Sequence, residues 1–170
     1  MVFLKQIGVI GTHKNPSAKS LGEARRLGGL LAKNGFVVVC GGLGGVMEEV
    51  CRGAKEEKGV TIGILPGKEI REANPFIDYK IATGLEWARN QIVALSCDAL
   101  VMLGGEAGTL SEACIGWIYG KPLIAVEGTG GYSDALAGKP IDSKREDAVI
   151  GAKDAEEAVK ILIRLLGGRK

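Results

Sequence analysis

The chain has 170 residues, 46% of them hydrophobic and 25% charged, with a formal net charge of +2. That balance suits one globular domain, residues 1–170, with a sizeable core. The charge is too small and too dispersed for a nucleic-acid surface, and no apolar run approaches the length of a membrane span. With aromatics at 5%, a stacking platform for single-stranded nucleic acid is not expected. Cysteines at 40, 51, 97 and 114 include no C-x-x-C pair, and the single histidine is His13. No zinc or c-type haem site is supported, and the expectation is reduced, buried thiols in a cytoplasmic protein. The 27 glycines, about twice the usual share of roughly 7%, cluster where apolar runs end.

In chain order, a strand is expected over Lys5–Ile10, following Met1 with no leader-like segment between. It ends in Gly11-Thr12-His13-Lys14-Asn15-Pro16-Ser17. A helix is expected over Ser20–Asn34, with Ser20 and Glu23 spaced as a capping box and Asn34-Gly35 as the stop. The strand Phe36–Cys40 runs into Gly41-Gly42-Leu43-Gly44-Gly45 and a helix Val46–Lys58. Strands Val60–Leu65 and Ile77–Ala82, a helix Leu85–Ser96 and a strand Ala99–Leu103 follow. Gly104-Gly105-Glu106-Ala107-Gly108-Thr109 then leads into a helix Leu110–Tyr119. Lys121-Pro122 separates it from a strand Leu123–Val126. Gly128 to Arg145 is the longest irregular stretch, a surface loop or lid. A strand Ala148–Gly151 and a helix Asp154–Leu166, with an acidic first turn, complete the chain. Short, continuous apolar strands such as Val37-Val38-Val39, alternating with helices, predict an α/β fold. It is a Rossmann-like, doubly wound, mostly parallel sheet flanked by helices.

In such a sheet, ligands sit beyond the carboxyl ends of the strands, and the unusual residues collect there. Gly41 to Glu49 and Gly104 to Glu112 both fit Gly-Gly-x-x-Gly-x-x-x-Glu. Strand, glycine turn and helix start offer bare N–H groups and a positive helix end to an anion. The candidate phosphate-binding residues are therefore Gly11, Thr12, Ser17, Gly41, Gly42, Gly44, Gly45, Gly104, Gly105, Gly108 and Thr109. Glu112, about one helical turn beyond Thr109, is placed as a base or to hold a hydroxyl, or else simply complements the helix dipole. Glu106 is awkward there, since an acid inside a phosphate cradle repels the ligand unless it points away. Arg89 grips phosphate or carboxylate, or is a surface arginine. His13 reads as a loop or ligand-contacting residue, and Trp87 and Trp117 as core or interface anchors. The dinucleotide fingerprint and the P-loop are both absent, which counts against a nicotinamide oxidoreductase and a P-loop NTPase.

At these residues the chain resembles the Lonely-guy family, long labelled lysine-decarboxylase-like, whose signature is Pro-Gly-Gly-x-Gly-Thr-x-x-Glu. Gly104 to Glu112 is similar to it with one extra residue and with Leu103 in place of the proline. Gly44-Gly45-Val46-Met47 and the helix over Ala24 to Ala32 also look like that family, so the resemblance runs nearly the whole chain in order. It implies a Rossmann-like fold, a homo-oligomer (dimer or tetramer) and a bound nucleoside 5′-monophosphate. It also implies hydrolysis of the N-glycosidic bond to base and ribose 5-phosphate, with Arg89 and Glu112 as catalytic residues. Asn90 stands where the family usually has lysine. The Gly-Gly-x-x-Gly-Thr-Leu-Ser-Glu form is similar to the branch of molybdenum-cofactor carrier proteins, which bind a phosphorylated pterin and need not catalyse anything. Two expectations follow: a binder or carrier of a small phosphorylated, nucleotide-like ligand, and a phosphoribohydrolase.

Overall fold

A computed structural model describes residues 4–167; the start of the chain, Met1 to Phe3, lies outside the described residues. Seven strands form one sheet: β1 (Gln6–Gly11), β2 (Val37–Cys40), β3 (Thr61–Leu65), β4 (Tyr79–Ala82), β5 (Ala99–Leu103), β6 (Leu123–Val126) and β7 (Ile150–Ala152). Their order is β4-β3-β2-β1-β5-β6-β7, and every pairing is parallel. The chain winds outward from β1 to β4, then returns to lay β5 against the other side of β1. The topological switch point, where an open α/β sheet leaves a crevice, is thus between the ends of β1 and β5, where Gly11 registers with Leu103.

Helices α1 (Ala18–Lys33), α2 (Val46–Glu56), α3 (Asn90–Leu95), α4 (Ala107–Ile118), α5 (Gly131–Leu136) and α6 (Ala155–Leu166) cover the sheet. One core layer joins α1, α2 and α6 to residues such as Val9, Val38 and Val101. The other joins α3 and α4 to Ile10, Val39 and Met102. Central strands are buried on both faces, as β2 and β5 show throughout, which is why they carry unbroken apolar runs. The edge strand β4 is instead largely exposed and carries Lys80, a charge that blunts edge pairing. Helices α1 and α2 approach unusually closely, because a methyl group on Gly28 would overlap the Val50 carbonyl and one on Gly53 the Arg25 carbonyl.

Several boundaries differ from the expectation, each for a local reason. The capping box does not form. Ser17 is the cap of α1, its hydroxyl accepting from the Ser20 amide at 3.1 Å, while the Glu23 carboxylate accepts from the amide of Ala155. The stretch 85–96 is not one helix: a 3-10 turn, Glu86–Arg89, precedes α3. The segment 128–145 contains α5, where the Ser133 hydroxyl lies within bonding distance of the Met102 and Val126 carbonyls. Helix α4 starts three residues earlier than its apolar pattern implies, so Gly108 and Thr109 lie in its first turn. Strand β7 begins at Ile150. No helix among the described residues is long and apolar enough to cross a membrane.

Candidate functional site

A cleft of about 120 Å³ opens at the switch point. Of the residues marked by sequence, Gly11, Thr12, Gly41, Arg89, Gly108, Thr109 and Glu112 line it. Ser17, Gly42, Gly44, Gly45, Gly104 and Gly105 are not part of its lining, and most are occupied structurally. Ser17 caps α1. The Gly42 carbonyl accepts from Asn74, and Gly45 is pressed against the Thr12 and His13 carbonyls. In the second glycine turn, the Gly104 amide donates to Thr129 Oγ1 and the Gly105 amide to Thr12 Oγ1, each at 2.8 Å. Both glycines have positive φ, 64° and 103°, a backbone that a side chain would strain. They build the turn and spend their donors inside the protein.

The free donors lie one step further on. Helix α4 has Glu106 at its N-cap, with no side-chain bond to the helix amides, and its first intrahelical bond runs from Leu110 back to Glu106. The amides of Ala107, Gly108 and Thr109 therefore have no intrahelical acceptor, and the helix end carries partial positive charge. The Thr12 hydroxyl, which accepts from Gly105, keeps its own proton for a ligand.

Arg89 and Glu112 meet in the floor of the cleft. Arg89 ends the 3-10 turn and is 7% exposed; Glu112, on α4, is 6% exposed. Arg89 Nη1 donates to Glu112 Oε1 at 3.0 Å and to Asn90 Oδ1 at 2.8 Å. Asn90 in turn donates to Ser111 Oγ at 2.7 Å, so the residue replacing the family's lysine fixes Arg89 against α4. Gly41 is packed against the guanidinium, which leaves no room for a side chain there. Arg89 Nε is buried without a hydrogen-bond partner. Burial pushes the Glu112 carboxyl up to about 7, against the opposing pull of Arg89.

Beneath the floor, Cys40 Sγ lies 3.6 Å from Cys51 Sγ. The thiol of Cys51 and, more weakly, the Arg89 charge hold the Cys40 thiol below its ordinary value, and Cys51 is raised in exchange. All four cysteines are free. Among the described residues no group of His, Cys, Asp or Glu is arranged to hold a metal ion. The cleft also takes in His13, Met47, Trp87, Asn90 and Glu106. Of these Trp87 is 77% exposed, which excludes the core role of the two expected for it, whereas Trp117 is buried. Trp87 sits in the 3-10 turn that precedes α3, not in the single helix expected over Leu85–Ser96.

A parallel sheet flanked by helices, with an uncapped helix end and a buried arginine–glutamate pair at its switch point, defines an α/β domain of the Rossmann-like class. Sequence comparison narrows the class. Residues 4–159 match LDcluster4, the SLOG cluster4 family, and the chain belongs to that family. The molybdenum cofactor binding protein from Rippkaea orientalis is 32% identical, with a TM-score of 0.88 over 98% of this chain and 99% of that one. The molybdenum cofactor carrier protein from Chlamydomonas reinhardtii is 34% identical, with a TM-score of 0.85 over 96% and 99%. A cytokinin riboside 5′-monophosphate phosphoribohydrolase from Mycobacterium tuberculosis is 34% identical over 130 residues, 71% of this chain and 69% of the relative. The resemblance to the Lonely-guy family, in its carrier-like branch, is therefore sound.

Proposed function

We propose that the chain binds a small phosphorylated ligand with a heterocyclic group, a nucleoside monophosphate or a phosphorylated pterin such as the molybdenum cofactor, and acts as its carrier. The observation that carries this reading is the buried guanidinium. Arg89 has an unpartnered Nε, and its neighbour Glu112, raised to about 7, is neutralised in part at neutral pH. A buried charge needs a counter-charge or hydrogen-bond partners, and a phosphate over Arg89, Thr12 and the start of α4 supplies both. The structural likeness to two molybdenum-cofactor proteins supports a carried ligand.

One observation favours a second reading, hydrolysis of a nucleoside 5′-monophosphate. A carboxyl held near pH 7 beside a fixed cation suits proton transfer and stabilisation of a developing ribosyl cation, and the mycobacterial relative is named for such a reaction. Incubating the protein with AMP and GMP and following free base separates the two. Binding without base release is the expected result, and rapid release would sink the non-catalytic reading. If release occurs and Glu112→Gln leaves it untouched, Glu112 is not the acid or base.

We further propose that the protein is a homo-oligomer, a dimer or tetramer. Ile92 and Leu95 on α3, Ile118 at the end of α4 and Tyr119 just beyond it are exposed, apolar surface that suits a second copy; the solution mass tests this. A reducing cytoplasm fits the free thiols.

A further inference from the structure

The cleft floor accounts for an anion, but two residues at its mouth have no part in that. Trp87 exposes 77% of its surface. It is held out by a 3-10 turn in which Glu86 takes a positive φ of 48°, a left-handed backbone that non-glycine residues adopt at some strain. The Glu86 amide is fixed to the Pro66 carbonyl at 3.0 Å. The indole lies across the first turn of α4, so that a methyl group on Gly108 would come 3.2 Å from its Cζ3. Trp87 thus stands between the cleft over Arg89 and a wider groove of about 540 Å³ toward Gln91, Ser111 and Ile115. The turn that buries Arg89 places a large planar ring two residues earlier, at a fixed offset from the charge.

Glu106 lines the same cleft from the N-cap of α4. It is exposed, and no described residue forms an ion pair or hydrogen bond with its carboxylate. A carboxylate accepts from two parallel N–H donors and repels a lone-pair acceptor. The 2-amino-4-oxo pyrimidine edge shared by guanine and the pterins presents those donors side by side. Adenine presents a ring acceptor beside its amino group.

We propose that Trp87 and Glu106 are the specificity-determining pair of the cleft: the indole stacks on a planar heteroaromatic ring, and Glu106 selects a 2-amino-4-oxo edge on it. This rests on the reading of the cleft as a phosphorylated-ligand site. It assigns the Glu106 carboxylate to the ring of the ligand, and the α4 amides and Arg89 to its phosphate.

Calorimetric titration of the full chain with GMP, AMP and ribose 5-phosphate tests it. GMP is expected to bind at least ~10-fold more tightly than AMP, the scale of one bidentate contact. Glu106→Gln should bring the two within ~3-fold, a ratio that any change in phosphate affinity common to both nucleotides leaves unaltered. Trp87→Ala should weaken GMP by ~10-fold, as stacking on a base does, while sparing ribose 5-phosphate, and Trp87→Phe should recover part of the loss. Equal affinity for GMP, AMP and ribose 5-phosphate would overturn the pair's role and leave the phosphate reading standing. So would a Trp87→Ala variant that changes solution mass without changing GMP affinity. Failure of all three compounds to bind would overturn both readings.

Discussion

The two glycine turns share one sequence pattern and do different work. In the turn from β2 to α2, the pattern's closing acid is Glu49, which pairs with Arg52 on the same helix at 3.2 Å, both side chains partly exposed. In the turn from β5 to α4, the closing acid is Glu112, buried against Arg89 from a different part of the chain. The first turn is wedged under the Thr12–His13 backbone and props up the loop after β1. The second presents an uncapped helix end to the cleft. The pattern specifies a strand-to-helix turn. Its position relative to the switch point, and what approaches from β1 and the 3-10 turn, decides whether a free helix end opens onto the cleft.

The sharpest way to break this contrast is to remove the two arginines in turn. Arg89→Ala should weaken ribose 5-phosphate and nucleoside monophosphates by about 1000-fold, roughly 4 kcal/mol, because a desolvated charge–phosphate contact is lost. Arg52→Ala should leave binding within ~2-fold, an exposed pair contributing little. Titration calorimetry of the two variants checks both, and comparable losses would erase the distinction between the turns.

The next effect is pH dependence. Glu112 has a folded pKa above its ordinary 4.5, at about 7, so the folded state holds its proton more tightly than the unfolded chain. The resulting stability is full below about pH 4.5 and is lost as pH rises toward 7, an effect on the order of 3 kcal/mol. Denaturant midpoints of the wild type should fall across that window, and those of Glu112→Gln should lack this component. Phosphate affinity should likewise decline above pH 7 in the wild type and be flatter in the variant.

The glycine punctuation and the buried apolar runs made the doubly wound sheet, and the edge of it at which the cleft opens, legible in the sequence. Arg89, Glu112, Thr12 and Thr109 were legible as individual candidates, since each falls at a strand end or a helix start. Their grouping was not, because Arg89 reaches Glu112 through a 3-10 turn whose register no periodicity records. The true cap of α1 was obscured because Ser17 and Ser20 are both good caps, and only the docking of Glu23 onto Ala155 decides between them. The internal use of Gly104 and Gly105 was hidden for a similar reason. Their partners, Thr129 and Thr12, come from other loops, and Thr129 sits in the stretch read as irregular.

That last pairing supplies a smaller test. Thr129 is buried, and its hydroxyl accepts from Gly104 and donates to Val126, at 2.8 and 2.6 Å. Thr129→Val keeps the shape and removes both bonds, leaving the buried Gly104 amide without its acceptor while the Val126 carbonyl keeps the Ser133 hydroxyl beside it. A loss of about 2 kcal/mol is expected, with ribose 5-phosphate affinity lowered because the loop bearing the α4 amides is no longer pinned. The matching change in the other turn, Asn74→Ala, removes side-chain bonds to the Gly42 and Leu43 carbonyls. It should destabilise by a similar or smaller amount and lower affinity less, since both carbonyls are held by Asn74 and neither pins the start of α4. Measuring stability and affinity on the same variants separates the two effects: equal affinity loss in both would mean that the β2–α2 turn binds ligand after all.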